Sequence, residues 1–382
     1  MYQLNDFDIE LFLREYWQKK PLVIRQGFKD FIDPLDEHEL AGLALEDNID
    51  SRIVSLQDLD WQVTQGPFAD INAHCQGAWS LLVQAVDHYV PEADELMRAF
   101  SFIPHWRMTD LMVSFSNQGA GVGAHIDQYD VFIIQGKGSR RWQVGLPSDY
   151  AVKLPHPALK QIEDFAPIID EVLEPGDIIY IPPHHPHNGV AQQDCMNYSV
   201  GFRAPSQQEM FASFSDYVAE HNLFTERYVD HVIEPREYGG EIKPHEVKAF
   251  KQFMLQALDK GDFDDWLSAY LSESYHAKDP NEQDTEPYSE QEIAELLAEG
   301  ALFIRENGLK AIFQQNSQNP ETDFVFYIEG QRFSCPSSIN GLVKELLNNS
   351  EFSLDNHASN QDSQALSPLL SSLVNAGFWF VE

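Results

Sequence analysis

His125-Ile-Asp127 sets an imidazole and a carboxylate two residues apart, and some sixty residues later a rigid loop, Ile181-Pro-Pro-His184-His185-Pro-His187, brings three more histidines. In a strand, residues i and i+2 share one face, so His125 and Asp127 can meet a single ion. A neighbouring strand in a small barrel can return one of the later histidines to that pair. Two imidazoles and one carboxylate on one face of a metal leave three positions open, the arrangement of non-haem Fe(II) oxygenases. Thiolates play no part, because Cys75, Cys195 and Cys335 lie far apart and match neither a disulfide framework nor a structural zinc site. The bland alternative makes the loop histidines solvated and Asp127 a turn cap.

A second chemical feature is Arg140, on the apparent strand Arg140-Arg-Trp-Gln-Val-Gly145. Of two adjacent arginines at least one must face out, and we read Arg140 as facing in. An interior of Ile, Val, Phe and Trp tolerates a guanidinium only beside a carboxylate, bidentate for preference. The C5 carboxylate of 2-oxoglutarate is such a partner.

The elements that must position these groups lie between Asp110 and Phe202. Short β-rich runs at Leu111 to Ser116, Val131 to Gln135, Arg140 to Leu146, Asp177 to Ile181 and Met196 to Phe202 are broken by Gly and Pro, which predicts an antiparallel sandwich or barrel. Ahead of it we expect helices over Asp8 to Lys19, Glu37 to Leu45 and Trp79 to Phe100, the last interrupted near Pro91, and a strand at Pro21 to Arg25. Capping boxes Ser206/Glu209 and Ser289/Glu292 open later helices. More helix is expected at Glu246 to Leu258, Phe263 to Tyr275, Ile339 to Leu347 and Leu366 to Asn375, with strands at Leu309 to Phe313 and Asp323 to Ile328. Lys278 to Tyr288 reads as a linker.

The chain has 61 Asp+Glu against 25 Lys+Arg, a net charge of −36. Such a chain repels nucleic-acid phosphates and anionic lipid and attracts a basic partner. Residues 285–382 alone carry 14 acids and four bases, a poor surface for DNA. No stretch approaches 18 uninterrupted apolar residues, and Met1 to Glu10 is acidic rather than a basic leader. We expect a cytoplasmic protein with no membrane contact.

Pro-Leu-Val-Ile24, Gly-Val-Gly-Ala-His125-Ile-Asp127, Gly136-Lys-Gly-Ser-Arg140-Arg-Trp142 and Pro175-Gly-Asp through His187, in that order and spacing, resemble a JmjC-type 2-oxoglutarate oxygenase. The whole chain resembles, more narrowly, the bacterial ribosomal oxygenases that hydroxylate an arginine of a large-subunit ribosomal protein. The resemblance implies an α+β protein: a double-stranded β-helix (cupin or jelly-roll) catalytic region over 1–205 with its β core at about 105–205, a helical dimerisation region over 206–278 and a winged-helix-like domain over 285–382. It implies Fe(II) held by His125, Asp127 and His187, with His187 in the motif's place rather than His184 or His185. Arg140 then pairs with the distal carboxylate of 2-oxoglutarate, and Ser114 and Asn197 are candidate hydrogen-bond partners of the same cosubstrate. Beside the metal motif, Asp130 is a candidate partner for a substrate guanidinium and Tyr129 a candidate stacking surface.

The implied activity couples O2 and the decarboxylation of 2-oxoglutarate to succinate and CO2 with hydroxylation of a side-chain carbon. Its expected partner is a basic large-subunit ribosomal protein, and the expected state is a homodimer. The same chemistry on another residue (histidyl or asparaginyl hydroxylation, lysine demethylation) stays open, as does a non-catalytic acidic cupin-like adaptor for ribosome assembly. A metal-dependent cupin isomerase would need more histidine ligands and no 2-oxoglutarate.

Overall fold

A computed structural model describes residues 2–230, 233–259, 262–274, 286–314, 323–354 and 360–382. Its centre is an antiparallel eight-stranded sheet whose order across the sheet is Leu22–Ile24, Ile178–Ile181, Asp130–Gln135, Cys195–Phe202, Met108–Ser116, Ala78–Val83, Ser51–Gln57 and Asp60–Gln65. A second, four-stranded sheet runs Pro167–Leu173, Arg140–Gly145, Pro186–Ala191 and His125–Ile126. Together they form the double-stranded β-helix expected above.

Side-chain alternation sorts each central strand between two environments. From Asp130–Gln135, Phe132 and Ile134 join Phe12, Leu40, Leu96 and Phe100 in a core packed under the flanking helices. Val131 and Ile133, on the opposite face, join Trp142, Val144 and Leu173 of the smaller sheet. Ile178–Ile181 divides likewise, Ile178 and Tyr180 to one core and Ile179 and Ile181 to the other, so the strand reads as one apolar run because both faces are covered.

The expected helix over Trp79 to Phe100 is corrected. Residues Ala78–Val83 form a strand, Val86–His88 make a single 3-10 turn, and only Pro91–Arg98 is α-helical, opened by proline at its first turn. The period is 2: Ser80 and Leu82 line the cavity described below, whereas Leu81 and Val83 enter the helix-side core. The strands Ser51–Gln57 and Asp60–Gln65 were not among the expected elements.

The chain divides into two compact units. The first comprises residues 1–204, 274–309 and 339–382; outside the sheets it holds helices Glu290–Glu299, Asn340–Asn348 and Asn360–Asn375 and a small sheet of Phe303–Arg305, Glu351–Phe352 and Trp379–Val381. The second, residues 205–273 and 310–338, holds helices Gln207–Glu220, Pro244–Leu258 and Asp262–Ser272 and the hairpin Phe324–Ile328/Gln331–Cys335. Trp266 anchors it, buried against Phe214 and Phe263 with its indole N–H donating to Ser213. Both capping boxes form as read, at Ser206/Glu209 and Ser289/Glu292. Leu309 to Phe313 is not a strand; it makes one isolated bridge, Ile312 to Tyr327. Most of the expected linker, 278–285, lies outside the described residues. Among the described residues no helix is long and apolar enough to cross a membrane.

Candidate active site

The strand Pro186–Ala191 pairs with His125–Ile126 so that His187 lies directly opposite His125, and the two rings sit 4.2 Å apart between centroids. The short strand ends at Ile126; Asp127 follows, its carbonyl accepting the His184 amide at 2.9 Å. Ligand atoms of His125, Asp127 and His187 all fall within 4.8 Å of one another. Asp127 Oδ2 is 3.9 Å from His125 Nε2 and 3.5 Å from His187 Nε2.

Both imidazoles are oriented from behind. His125 Nδ1 meets the Gly123 carbonyl at 2.9 Å and His187 Nδ1 the His185 carbonyl at 3.0 Å. A carbonyl demands a proton on Nδ1, which leaves the Nε2 lone pairs facing Asp127, the tautomer a metal requires. Burial, with His187 beside it, pushes the His125 pKa down, so the ring stays neutral. Burial alone would raise the Asp127 carboxyl, yet the neighbouring His187 and His125 imidazoles hold it down at about 2. His184 takes a left-handed backbone (φ 66°), and the His185 ring nitrogen Nδ1 turns to the Pro183 carbonyl; neither joins the cluster.

The cluster opens on a cavity of about 240 Å³. Arg140 lines it and is buried, while Arg141 points out to a bidentate pair with Asp170. Arg140 Nη2 donates to Ser116 Oγ, and its guanidinium lies over the Trp142 ring, 5.8 Å from the centroid. Among the described residues its Nε has no partner. Trp142 is itself held against the backbone of Gly189, where a Cβ would come within 2.7 Å of the ring. A buried guanidinium with an idle donor and, among the described residues, no carboxylate beside it is a receptor for an anion. The donor set and the idle Arg140 therefore fit a divalent iron and a dicarboxylate in one cavity. Ser114 and Asn197, opposite one another on adjacent strands, line the same space.

Asp130 is corrected. It lies on the helix-side face of its strand with no exposed surface, and its carboxylate takes bonds from Tyr180 at 2.6 Å, Arg107 at 2.8 Å and Gln18 at 3.0 Å. Buried among these three donors, it is out of a substrate's reach. Tyr129 does reach the cavity, 38% exposed. Sequence reasoning missed Asp110, 8% exposed on the cavity face of Met108–Ser116, and half-buried Arg52. The missed signal was parity: 110, 112, 114 and 116 share one face.

A double-stranded β-helix with this His-x-Asp…His cluster and inward arginine defines a JmjC-type domain, and the model of the JmjC domain family matches residues 95–210. A second family model, the ROXA-like winged helix, matches residues 254–380. The ribosomal protein uL16 3-hydroxylase of Escherichia coli (strain K12) is 41% identical over 97% of this chain and 97% of its own. The probable ribosomal oxygenase of Haemophilus influenzae is 34% identical over 80% and 79%. A solved ribosomal oxygenase from Escherichia coli, in complex with cobalt and 2-oxoglutarate, covers all of both chains at a TM-score of 0.88 and 40% identity. The chain belongs to the bacterial ribosomal oxygenase family.

Proposed function

We propose that this protein is an Fe(II)- and 2-oxoglutarate-dependent hydroxylase of an arginine side chain in a basic large-subunit ribosomal protein of the uL16 type. The observation that carries the reading is the joining, in one cavity, of the His125, Asp127 and His187 cluster with buried, carboxylate-free Arg140. His125, Asp127 and His187 would hold the metal, and Arg140, backed by Ser116, the distal carboxylate of 2-oxoglutarate. When bound, iron and 2-oxoglutarate supply the oxidising power of O2 as the cosubstrate is broken down to succinate and CO2.

The chain's own tasks are positioning and exclusion. Val54, Leu82, Val131, Ile133 and Trp142 keep the cavity wall apolar and water out. Ser114 and Asn197 offer further hydrogen bonds to the cosubstrate. Arginine as the target is supported by Asp110, an acid set in the same cavity, with Tyr129 beside it as a stacking surface for a guanidinium. The −36 charge steers a basic protein toward the cleft. Such a reaction belongs in the cytoplasm, where ribosomal proteins are made.

We assign catalysis to 1–205, a winged-helix-like role to 285–382 and dimer formation to 206–278. The dimer is supported by exposed Phe211, Phe250, Met254 and Leu255 on two helices of that segment; light scattering after size exclusion tests it.

The deciding experiment incubates ribosomal proteins from hydroxylase-deleted cells with the protein, Fe(II), 2-oxoglutarate and air, and compares intact masses. A one-oxygen gain on a large-subunit protein, traced by fragmentation to an arginine and absent with the His125→Ala, Asp127→Ala variant, is expected. Turnover of 2-oxoglutarate with no gain would discard the substrate.

A further inference from the structure

Residues directly opposite one another across the large sheet form a row: Gln135, Asn197, Ser114, Leu82, Arg52. Four of them line the cavity; Gln135, fully buried, closes the row behind Asn197. Gln135 Nε2 lies 3.1 Å from the Met196 carbonyl oxygen and 3.4 Å from those of Gly136, Lys137 and Gly138. Four acceptors around one amide atom require that atom to be the nitrogen, because a flipped amide would set Oε1 against four oxygens with no proton among them. Oε1 must then face Asn197, and it accepts from Asn197 Nδ2 at 2.8 Å. A flipped Asn197 would oppose two acceptors, so its amide is oriented in turn.

The carbonyls that start this chain of constraint are fixed by the backbone. Lys137 and Met196 are tied by the bond from Met196 N to Lys137 O at 2.8 Å, and Lys137 N donates to both Asp33 oxygens at 3.1 Å. Gly138 takes φ 76°, and a Cβ there would meet the Asp194 carbonyl at 2.2 Å.

We propose that Gln135 is a positioning residue for 2-oxoglutarate: by occupying one Asn197 N–H it makes Asn197 offer its second N–H, a donor, to the bound anion. The inference rests on Asn197 contacting the cosubstrate. A carboxylate only accepts, so the end of the amide that meets it decides whether the contact attracts or repels. An amide oriented by the fold also spares the cosubstrate the entropy of ordering it.

Calorimetric titration of 2-oxoglutarate into the full-length protein, loaded with Mn(II) in place of Fe(II), reads the contact without turnover. Gln135→Met keeps the side-chain length and removes both ends of the amide. The expected result is a Kd raised about tenfold, the size of one hydrogen bond to a charged group. In an Asn197→Ala background the same substitution should add nothing, since the effect acts through Asn197. Equal weakening in both backgrounds, or a lower melting temperature with an unchanged Kd, would overturn the proposal and leave the cosubstrate reading of Asn197 standing. An Asn197→Ala variant that alone binds 2-oxoglutarate normally would sink that reading, and the proposal with it. Should Gln135→Met fail to fold, selective 15N-asparagine spectra of the Zn(II)-loaded wild type serve instead. Added 2-oxoglutarate should shift the Asn197 side-chain N–H signals; signals that do not move refute the assignment.

Discussion

Replacing Arg140 by methionine should stabilise the metal-free protein while loosening its hold on 2-oxoglutarate. Arg140 is 6% exposed, and among the described residues its Nε makes no bond and its Nη2 donates only to Ser116. A buried unsatisfied donor costs about 1–3 kcal/mol. Methionine matches much of the arginine stem and needs no partner, so after imperfect packing the apo fold should gain about 1 kcal/mol. Ser116 keeps a partner, Ser80, at 2.6 Å. The bound state moves the other way. Removing one member of a buried ion pair costs about 3–5 kcal/mol, and at the lower figure Kd rises about 150-fold. Urea unfolding of the apo protein measures the first effect, and titration of 2-oxoglutarate into Mn(II)-loaded protein the second. Binding weakened less than about threefold (under 1 kcal/mol), or an apo protein less stable than wild type, would refute the idea that Arg140 is held idle for an anion.

Loss of His187, only 2% exposed, should weaken metal binding by more than the roughly 10–100-fold typical of groups behind the ligands; equilibrium dialysis of His187→Ala against Mn(II) checks it. Asp110→Asn should cut kcat/KM for an arginine peptide by about 100-fold, the low end of removing a buried charge partner, while 2-oxoglutarate binding stays as it was; equal loss of both would place Asp110 elsewhere in the reaction. Asp130→Asn strands the Arg107 guanidinium and should lower stability by about 3 kcal/mol with unchanged cosubstrate affinity, measured by the same unfolding and titration. Burial, and then the charge of Asp110, raise the Asp87 pKa well above the carboxylate range. Between about pH 4 and that raised value the folded state keeps a proton that the unfolded chain has lost, so stability falls as pH rises through the window. Asp87→Asn should flatten that slope in unfolding midpoints measured from pH 5 to 8; an unaltered slope would assign the linkage to another group.

The grouping of His125, Asp127 and His187 was legible because the chemistry it could do restricts residue type: few combinations besides two imidazoles and a carboxylate would suit such an ion, and two of the three sit in one strand-spaced triplet. The caps at Ser206 and Ser289 were legible because a capping box is complete within four residues. What escaped was non-local. Trp79 to Val83 is apolar at every position but Ser80, and only the arrival of one neighbouring sheet face and one helical layer divides the run by parity. Asp130 drew attention because it follows His125-Ile-Asp127, and Asp110 did not; which acid faces the helices and which faces the cavity is settled by the register of their strands, whose neighbours come from distant sequence.

The strand Cys195–Phe202 spells the two environments residue by residue: Asn197, Ser199 and Gly201 to the cavity, Met196, Tyr198, Val200 and Phe202 to the core. It is also paired on both sides, to Met108–Ser116 and to Asp130–Gln135. Evolution therefore meets a ratchet here. Deleting or inserting one residue within the strand would turn phenylalanine and tyrosine into the cavity and asparagine into the oil at the same stroke. Descendants of this sequence can change their cosubstrate contacts only by point substitution in place, whereas the loops leading to the cavity mouth are free to grow and shrink. New substrates are thus far easier to reach from this scaffold than new cosubstrates.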